Sequence, residues 1–340
     1  MNIKIHFLKV QSGDCFIIMF YDNTETHMLL IDGGFAIHYP NIIEPKLKET
    51  LKKENSSNNI LLTHIDRDHI GGLIRLFKSD LENKKFITNV FYNTTEYLKH
   101  IAPNVSGQIP ENLINTNLKT SYNQGKKLEE LLEEQDIPLI TGIVAGDIIQ
   151  ISKNIIIKIL SPRQESLNKY KEWIKKEENK LHTSAKKSDY ENSLEELKNN
   201  IFEEDNDAVN ASSIGILIEA SDKKMLFLGD SYSSDIIKSL NDLGYTKENK
   251  LEVDIVKVSH HGSKYNTSNE LLECIRCNKF IISANGKTNY HPNKETLARI
   301  IYSQNKPQFI FNYDLENKIF TNKEKENQLF SCKMEELIEI

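Results

Sequence analysis

Four metal-capable side chains, His64, Asp66, Asp68 and His69, fall within six residues of this chain, in the run Thr63-His64-Ile65-Asp66-Arg67-Asp68-His69-Ile70-Gly71-Gly72. An apolar run precedes them (Ile60-Leu61-Leu62) and a helix-like run follows (Leu73, Ile74, Leu76, Phe77), which predicts a strand, a sharp turn and a helix start. His64 and Asp66 are two apart in extended chain and so point to one side. Asp68 and His69, expected in the turn, can reach a second point. One loop then offers two ligands to each of two metals, and dinuclear sites hold their ions ~3.5–4 Å apart on such N and O donors. Taken singly, Asp66 or Asp68 is as well explained as a cap of the next helix, and Gly71-Gly72 as a plain turn. The four together favour metal binding.

Other strand ends carry similar groups. Leu29-Leu30-Ile31 ends in Asp32-Gly33-Gly34, and Met225-Leu226-Phe227-Leu228 ends in Gly229-Asp230-Ser231. Val253–Val258 ends in Ser259-His260-His261-Gly262, and Tyr290-His291-Pro292 follows the strand Phe280–Ser283. Histidines where loops converge are ligands or acid–base groups more often than structural fillers.

The elements that must position these groups follow from periodicity. Strands are expected at 3–10, 15–21, 28–32, 86–93 and 147–160, with a hairpin over 213–228, then at 253–258 and 280–283, and terminal strands at 308–312 and 317–320. Helices are expected at 42–53, 124–134, 234–243 and 269–276, with another after Pro292. Glu and Lys dominate 163–206, which reads as a charged helical insertion containing Trp173 and a surface histidine, His182. Strands and helices in two similar halves predict an α/β fold of two face-to-face sheets with helices outside, one domain over 1–340.

The cluster resembles the signature of the metallo-β-lactamase superfamily, usually His-x-His-x-Asp-His, with Asp66 in place of the second His. That keeps a ligand but makes it harder and anionic, which shifts preference from Zn²⁺ towards Mn²⁺ or Mg²⁺. The opening Ile5-His6-Phe7-Leu8-Lys9-Val10-Gln11-Ser12-Gly13-Asp14-Cys15, with Asp32-Gly33-Gly34, resembles one branch, the lactamase-like domain of the DNA-uptake protein ComEC. The resemblance implies an αββα four-layer sandwich with two divalent metal ions, Zn or Mn, with Mg admitted. His64 and Asp66 would hold the first, Asp68, His69 and His261 the second, with Asp230 bridging and Asp32 orienting the ligands from behind. His261 is preferred because it directly precedes Gly262; His260 would contact substrate, or the two would be exchanged. His291 would donate to a phosphate oxygen or leaving group, and Asp68, His260 and His291 are the catalytic candidates. A further first-metal His, common in the superfamily just before the hairpin, is missing here (Asn206 to Ser213).

The implied activity is metal-dependent hydrolysis of a phosphodiester, in DNA or a nucleotide. Small-molecule ester or lactam hydrolysis, and a non-catalytic or partner-activated role in a bacterial defence assembly with the partner held through 163–206, are the alternatives. Lys257, Lys264, Lys287 and Lys294 surround the late motifs and can either contact phosphates or stand as ordinary surface lysines. A net charge of −6, from 43 basic and 49 acidic residues, gives no global basic field for nucleic acid. The cysteines, Cys15, Cys274, Cys277 and Cys332, form no disulfide framework, and Cys274-x-x-Cys277 has helix spacing suited to buried thiols. Residues 1–10 alternate like a strand rather than a signal peptide, and no apolar run approaches the ~20 residues of a membrane span. A soluble, cytoplasmic protein is expected, without membrane contact.

Overall fold

Ile3, Ile5 and Phe7 alternate with polar neighbours along β1 (Asn2–Phe7), and the next strand, β2 (Phe16–Asp22), is apolar on both faces. Phe16, Ile18 and Phe20 turn into a core shared by two sheets, while Ile17 and Met19 turn to a second core under helices. A sheet covered on both faces demands such continuous apolar strands. The computed structural model describes residues 1–22, 25–51, 56–100, 116–168 and 188–340.

The first sheet adds β3 (Glu25–Ile31), β4 (Ser56–Leu61), β5 (Ile87–Phe91) and β6 (Leu139–Ile140). The second holds β7 (Ile148–Ser152), β8 (Ile155–Ser161), β9 (Gly215–Ala220), β10 (Lys223–Phe227), β12 (Ile255–Lys257), β14 (Lys279–Ile282), β15 (Gln308–Phe311) and β16 (Ser331–Met334); β11 (Leu251–Glu252) and β13 (Ile275–Arg276) pair separately. The last strand, β17 (Leu337–Glu339), returns to the first sheet, whose order is β17-β1-β2-β3-β4-β5-β6. Pairing is antiparallel among β1, β2 and β3, and parallel from β3 to β6 and from β10 through β12, β14, β15 and β16. Parallel neighbours need crossovers, and the crossover helices supply the outer layers.

Helices α1 (Glu44–Thr50), α2 (Arg67–Lys78) and α4 (Thr116–Glu133) pack on the first sheet; the short α3 (Thr95–His100) precedes α4. After α5 (Leu194–Leu197), helices α6 (Ser233–Asp242), α7 (Asn269–Cys274) and α8 (Lys294–Ser303) cover the second. This is the αββα four-layer sandwich expected from the sequence. No helix among the described residues is long and apolar enough to cross a membrane.

Several local expectations need correction. Residues 317–320 are not a strand: Glu316–Ile319 is a short helix that buries Leu315 and Ile319, four apart, in the outer core, and the terminal strands are β16 and β17. The helix expected over 269–276 stops at Cys274 because Ile275 and Arg276 pair with Leu251 and Glu252; Cys274 and Cys277 are buried free thiols. Asp68 and His69 lie in the first turn of α2, not in the loop before it. The helix expected over 42–53 is α1 preceded by a five-residue π-helical turn at Tyr39–Ile43, and α4 starts at Thr116, earlier than Gln124. In the charged stretch, 164–168 is helical and 188–206 is irregular apart from α5. Glu and Lys favour helix but supply no apolar stripe to hold one. Instead Asp189 accepts from the backbone N–H groups of Lys294 and Glu295, both at 2.9 Å, which docks this segment on the start of α8. Trp173 and His182 lie outside the described residues.

The loop Asp32–Gly34 and α2 are in backbone contact: Gly33 N donates to His69 O (2.7 Å) and Gly72 N to Gly34 O (2.9 Å). A Cβ on Gly72 would stand 1.9 Å from Gly33 O, a backbone atom that cannot swing away. Gly72→Ala is therefore expected to lower unfolding free energy by about 3 kcal/mol, measured by chemical denaturation of the metal-free protein; an unchanged midpoint would contradict this packing.

Candidate metal centre

The chemistry-bearing residues leave the sheets at the carboxyl ends of parallel strands, where open α/β sheets place their ligand crevice. Asp32 follows β3, His64 follows β4, Asp230 follows β10, and His260 and His261 follow β12. The α2 start adds Asp66, Asp68 and His69. Asp66 holds the N-cap position, yet its carboxylate makes no capping bond and instead accepts from Ser121 Oγ (3.1 Å).

Hydrogen bonds fix one ring nitrogen of each histidine. Asp32 Oδ2 accepts from His69 Nδ1 (2.8 Å) and from Thr63 Oγ1 (2.8 Å), while Oδ1 accepts from Thr63 N (2.7 Å). Thr63 has spent its only hydroxyl proton on Asp32, so its contact with His64 Nδ1 (3.0 Å) makes that nitrogen the donor. His261 Nδ1 faces the carbonyl of Ser283 (3.0 Å), which can only accept. His260 Nδ1 donates to Asn266 Oδ1 (3.0 Å), whose Nδ2 is committed to Asp205 Oδ2 (3.0 Å). All four rings thus carry hydrogen on Nδ1 and present Nε2 to the cleft, the arrangement that outer partners impose on metal-binding histidines.

Those Nε2 atoms converge on Asp230 Oδ2, at 3.8 Å from His64, 3.6 Å from His69, 3.7 Å from His260 and 3.8 Å from His261. His64 Nε2 also lies 3.7 Å from Asp66 Oδ2, and His261 Nε2 3.5 Å from Asp68 Oδ2. These spacings are too long for hydrogen bonds. They suit donors sharing an ion, since tetrahedral ligands ~2.0–2.2 Å from a metal stand roughly 3.3–3.6 Å apart. The Nε2 atoms of His64, His69 and His261 and Oδ1 of Asp230 are buried without a partner. Among the described residues, donor atoms within 4.8 Å of one another form three sets that share His69: His64-His69-Asp230, Asp68-His69-His261 and, behind the ring, Asp14-Asp32-His69. With His69 Nδ1 spent on Asp32, the residues facing the cleft fit a divalent ion at His69 Nε2, held with His64 and Asp230 or with Asp68 and His261. His261 joins the set of Asp68 and His69; His260 joins none and lies against Asp205 (Nδ1–Oδ2 3.3 Å). Asp66 reaches the cluster through His64, and His291 stands beside it, its ring 5.3 Å from that of His260.

Charge in the cluster is out of balance. Burial would raise the Asp230 carboxyl, but His260, His69 and His261 hold it well below the usual range. Burial disfavours the charged forms of His69 and His260, yet the carboxylates outweigh it, Asp230 and Asp32 raising His69 well above normal and Asp230 and Asp205 raising His260 to about 10. His64 is lowered to about 3 by burial and by His69. Burial, then Asp207 and Asp68, raise Asp66 to about 7. His291 is driven well below its ordinary value by burial and by His260 and His261.

Sequence reasoning missed the support behind His261. Asp14 pairs with Lys257, both almost fully buried, and Asp14 Oδ1 lies 3.4 Å from His261 Nδ1; Lys257 also donates to Gly229 O (3.1 Å). A lysine inside an apolar strand was the available signal. Lys257 therefore does not face a phosphate, and neither does Lys294, which is buried against Glu324 (2.9 Å). Lys264 approaches Glu295 (3.9 Å), and Lys287 is exposed. Asp205 was also missed, since nothing in a charged stretch distinguishes a buried acid from a solvated one. A cleft of about 490 Å³ opens over the cluster, lined by Asp66, Asp68, Asp230, His260 and His291 on one side and by Glu203–Asp207 on another.

No family model matches the chain, and no curated protein matches it. Among solved structures, the metallo-beta-lactamase fold protein YhfI from Bacillus subtilis is 9% identical, with 100% of both chains covered and a TM-score of 0.44. Zn(2+)-bound PqqB from Methylobacterium extorquens is 12% identical, with 100% of this chain and 99% of that chain covered and a TM-score of 0.45. The case for a metal centre rests on the donor geometry of this chain.

Ion binding must displace the proton of Asp66, raised to about 7, and those that His69 and His261 hold against their carboxylates above their ordinary range, so affinity rises with pH through neutrality and beyond and protons are released. Calorimetry of Zn²⁺ or Mn²⁺ binding in buffers of different ionisation enthalpy counts them; no release would contradict the assignment, and Asp66→Asn lowers the count near pH 6. Asp32→Ala, which frees the His69 ring, is expected to weaken ion binding about 10–100-fold, read by chelator competition.

Proposed function

We propose that this chain is a metal-dependent hydrolase, and that the bond it cleaves is a phosphodiester in a compact substrate. The observation that carries the reading is the convergence of unpartnered, buried Nε2 atoms on Asp230 at spacings suited to shared ions. Divalent ions held there would bring a bound water's pKa towards neutrality and stabilise negative charge on the substrate. The chain's own part is to hold the donors in one tautomer through Asp32, Thr63 and Ser283, and to present His260 and His291 to the substrate. His291, kept neutral, can hydrogen-bond to a leaving oxygen. The resemblance to the ComEC-like branch supports a phosphodiester. A long DNA strand is less well supported, because Lys257 and Lys294 are buried and, among the described residues, no lysine or arginine lines the cleft. The same lining favours a second reading, hydrolysis of a small ester or lactam. Residues 188–206 reach the cleft from the charged stretch, so a partner held there would act beside the site.

The test is hydrolysis of bis-p-nitrophenyl phosphate, linear DNA and plasmid DNA by metal-stripped protein given Mn²⁺, Zn²⁺ or Mg²⁺, with Asp68→Ala alongside. Metal-dependent cleavage of the small diester, at least ~10²-fold slower in the variant, is the expected result. Bound metal without cleavage would move the reading to a small ester, a lactam or a partner-activated enzyme, and failure to bind metal would overturn it.

A further inference from the structure

We propose that the wall of this cleft binds a positively charged group, so that the substrate is a small molecule bearing an ammonium beside the bond that is cut. The reaction in this statement rests on the hydrolase reading above; the binding does not.

The wall is Glu203, Glu204, Asp205 and Asp207, and among the described residues no lysine or arginine lines the cleft with them. Neutral donors hold three of these carboxylates. Glu204 accepts from Ser234 N (2.7 Å) and Oγ (2.8 Å), Asp205 from Asn210 Nδ2 (2.8 Å) and Asn266 Nδ2 (3.0 Å), and Asp207 from Val209 N (2.8 Å). Such bonds orient a carboxylate without cancelling its charge. Among the described residues no lysine or arginine pairs with any of the four; the nearby Lys264 approaches Glu295 instead. His260, against Asp205, is the cationic group on this side.

An independent observation points to a ligand. Asn210 lines the same cleft, is 4% exposed, and its Oδ1 has no hydrogen-bond partner. Its Nδ2 donates to Asp205 Oδ2 at 2.8 Å, a bond that exchanging the two amide atoms would replace by two facing oxygens and that outweighs the 3.4 Å contact of Nδ2 with His260 Nδ1. A buried acceptor left empty beside carboxylates lacks a donor, and an ammonium supplies both the donor and the charge. Ions on the cluster would meet the reacting ester group, while the part of the substrate lying along the wall meets Glu203, Glu204 and Asp207, Asp205 being paired with His260. A polyanion placed there would be repelled.

The experiment compares two phosphodiesters with the same leaving group, methyl p-nitrophenyl phosphate and p-nitrophenyl phosphorylethanolamine, whose primary ammonium carries N–H donors, on the metal-loaded full chain. Ethanolamine binding by calorimetry is measured beside them. The cationic substrate is expected to have kcat/KM about tenfold higher at low salt, the ratio shrinking as salt screens the wall. Glu203→Lys is expected to cut that ratio and to weaken ethanolamine binding. Equal kcat/KM for the two diesters, with no saturable ethanolamine binding, overturns the inference and leaves the hydrolase reading standing. Failure to cleave either diester counts against the hydrolase reading alone; ethanolamine binding then decides, supporting the inference if it saturates and weakens in Glu203→Lys, and overturning it otherwise.

Discussion

Four imidazole Nε2 atoms stand 3.6–3.8 Å from one oxygen, Oδ2 of Asp230, in a site that is almost fully buried around that carboxylate. They are too far apart to bond and too close to be independent. Buried groups in this condition need positive charge among them, because an uncompensated buried carboxylate is costly. Protons meet part of that need, which is why His69, His260 and His261 hold theirs so firmly. Divalent ions meet it better, because one ion satisfies several donors at once. The outer hydrogen bonds make sense only on this basis, since each spends the Nδ1 proton outward and leaves Nε2 facing in.

The backbone accepts strain to achieve this. His260 (φ 47°) and His261 (φ 55°) both lie in the left-handed region, and Gly262 follows at φ 84°. Non-glycine residues in sparsely populated regions cost of order 1–3 kcal/mol each and persist only where the surroundings over-determine them. Here His260 N donates to Gly229 O (2.9 Å) and Ser263 N to His260 O (2.8 Å), so the turn is bonded to the loop that carries Asp230. The left-handed pair turns two adjacent rings onto one carboxylate, which extended chain, with alternating sides, would not do. On the opposite side Asp32 is also left-handed (φ 58°) and holds two histidines, His69 directly and His64 through Thr63. Two strained loops, one from each sheet, therefore meet across the cluster.

Much of this could be read before any coordinates. Periodicity placed most strands, because β2 and β8 are too apolar to be anything but doubly covered. The spacing of His64, Asp66, Asp68 and His69 exposed the cluster, because no common structural need puts four such groups together. What failed was context. Ile319-Phe320 has no pattern long enough to separate strand from helix, and burial of Leu315 and Ile319 decided it. Lys257 and Lys294 stand beside the late motifs in sequence, which suggests phosphate contacts or plain surface positions, yet each is paired with a distant acid, Asp14 and Glu324, that no local window contains. Asp205 was hidden for the converse reason: its partners Asn210, Asn266 and His260 are spread along the chain, and it stands in a run of acids that local sequence does not tell apart.

That last point bears on where specificity resides. The sandwich and its strand ends position the donors, and donors of this kind can serve many reactions, so the fold does not choose a substrate. The choice falls to whatever forms the rest of the cleft. Here that is Glu203–Asp207, where the charged stretch rejoins the core and docks through Asp189 and Asn200 on α8. A segment whose composition suggests decoration thus carries one wall of the site, and its charge is opposite to what a polyphosphate chain requires. The floor and the wall have separate chemical demands, an ion for one and a cationic or donor group for the other, and a substrate that satisfies both must be small and of mixed charge.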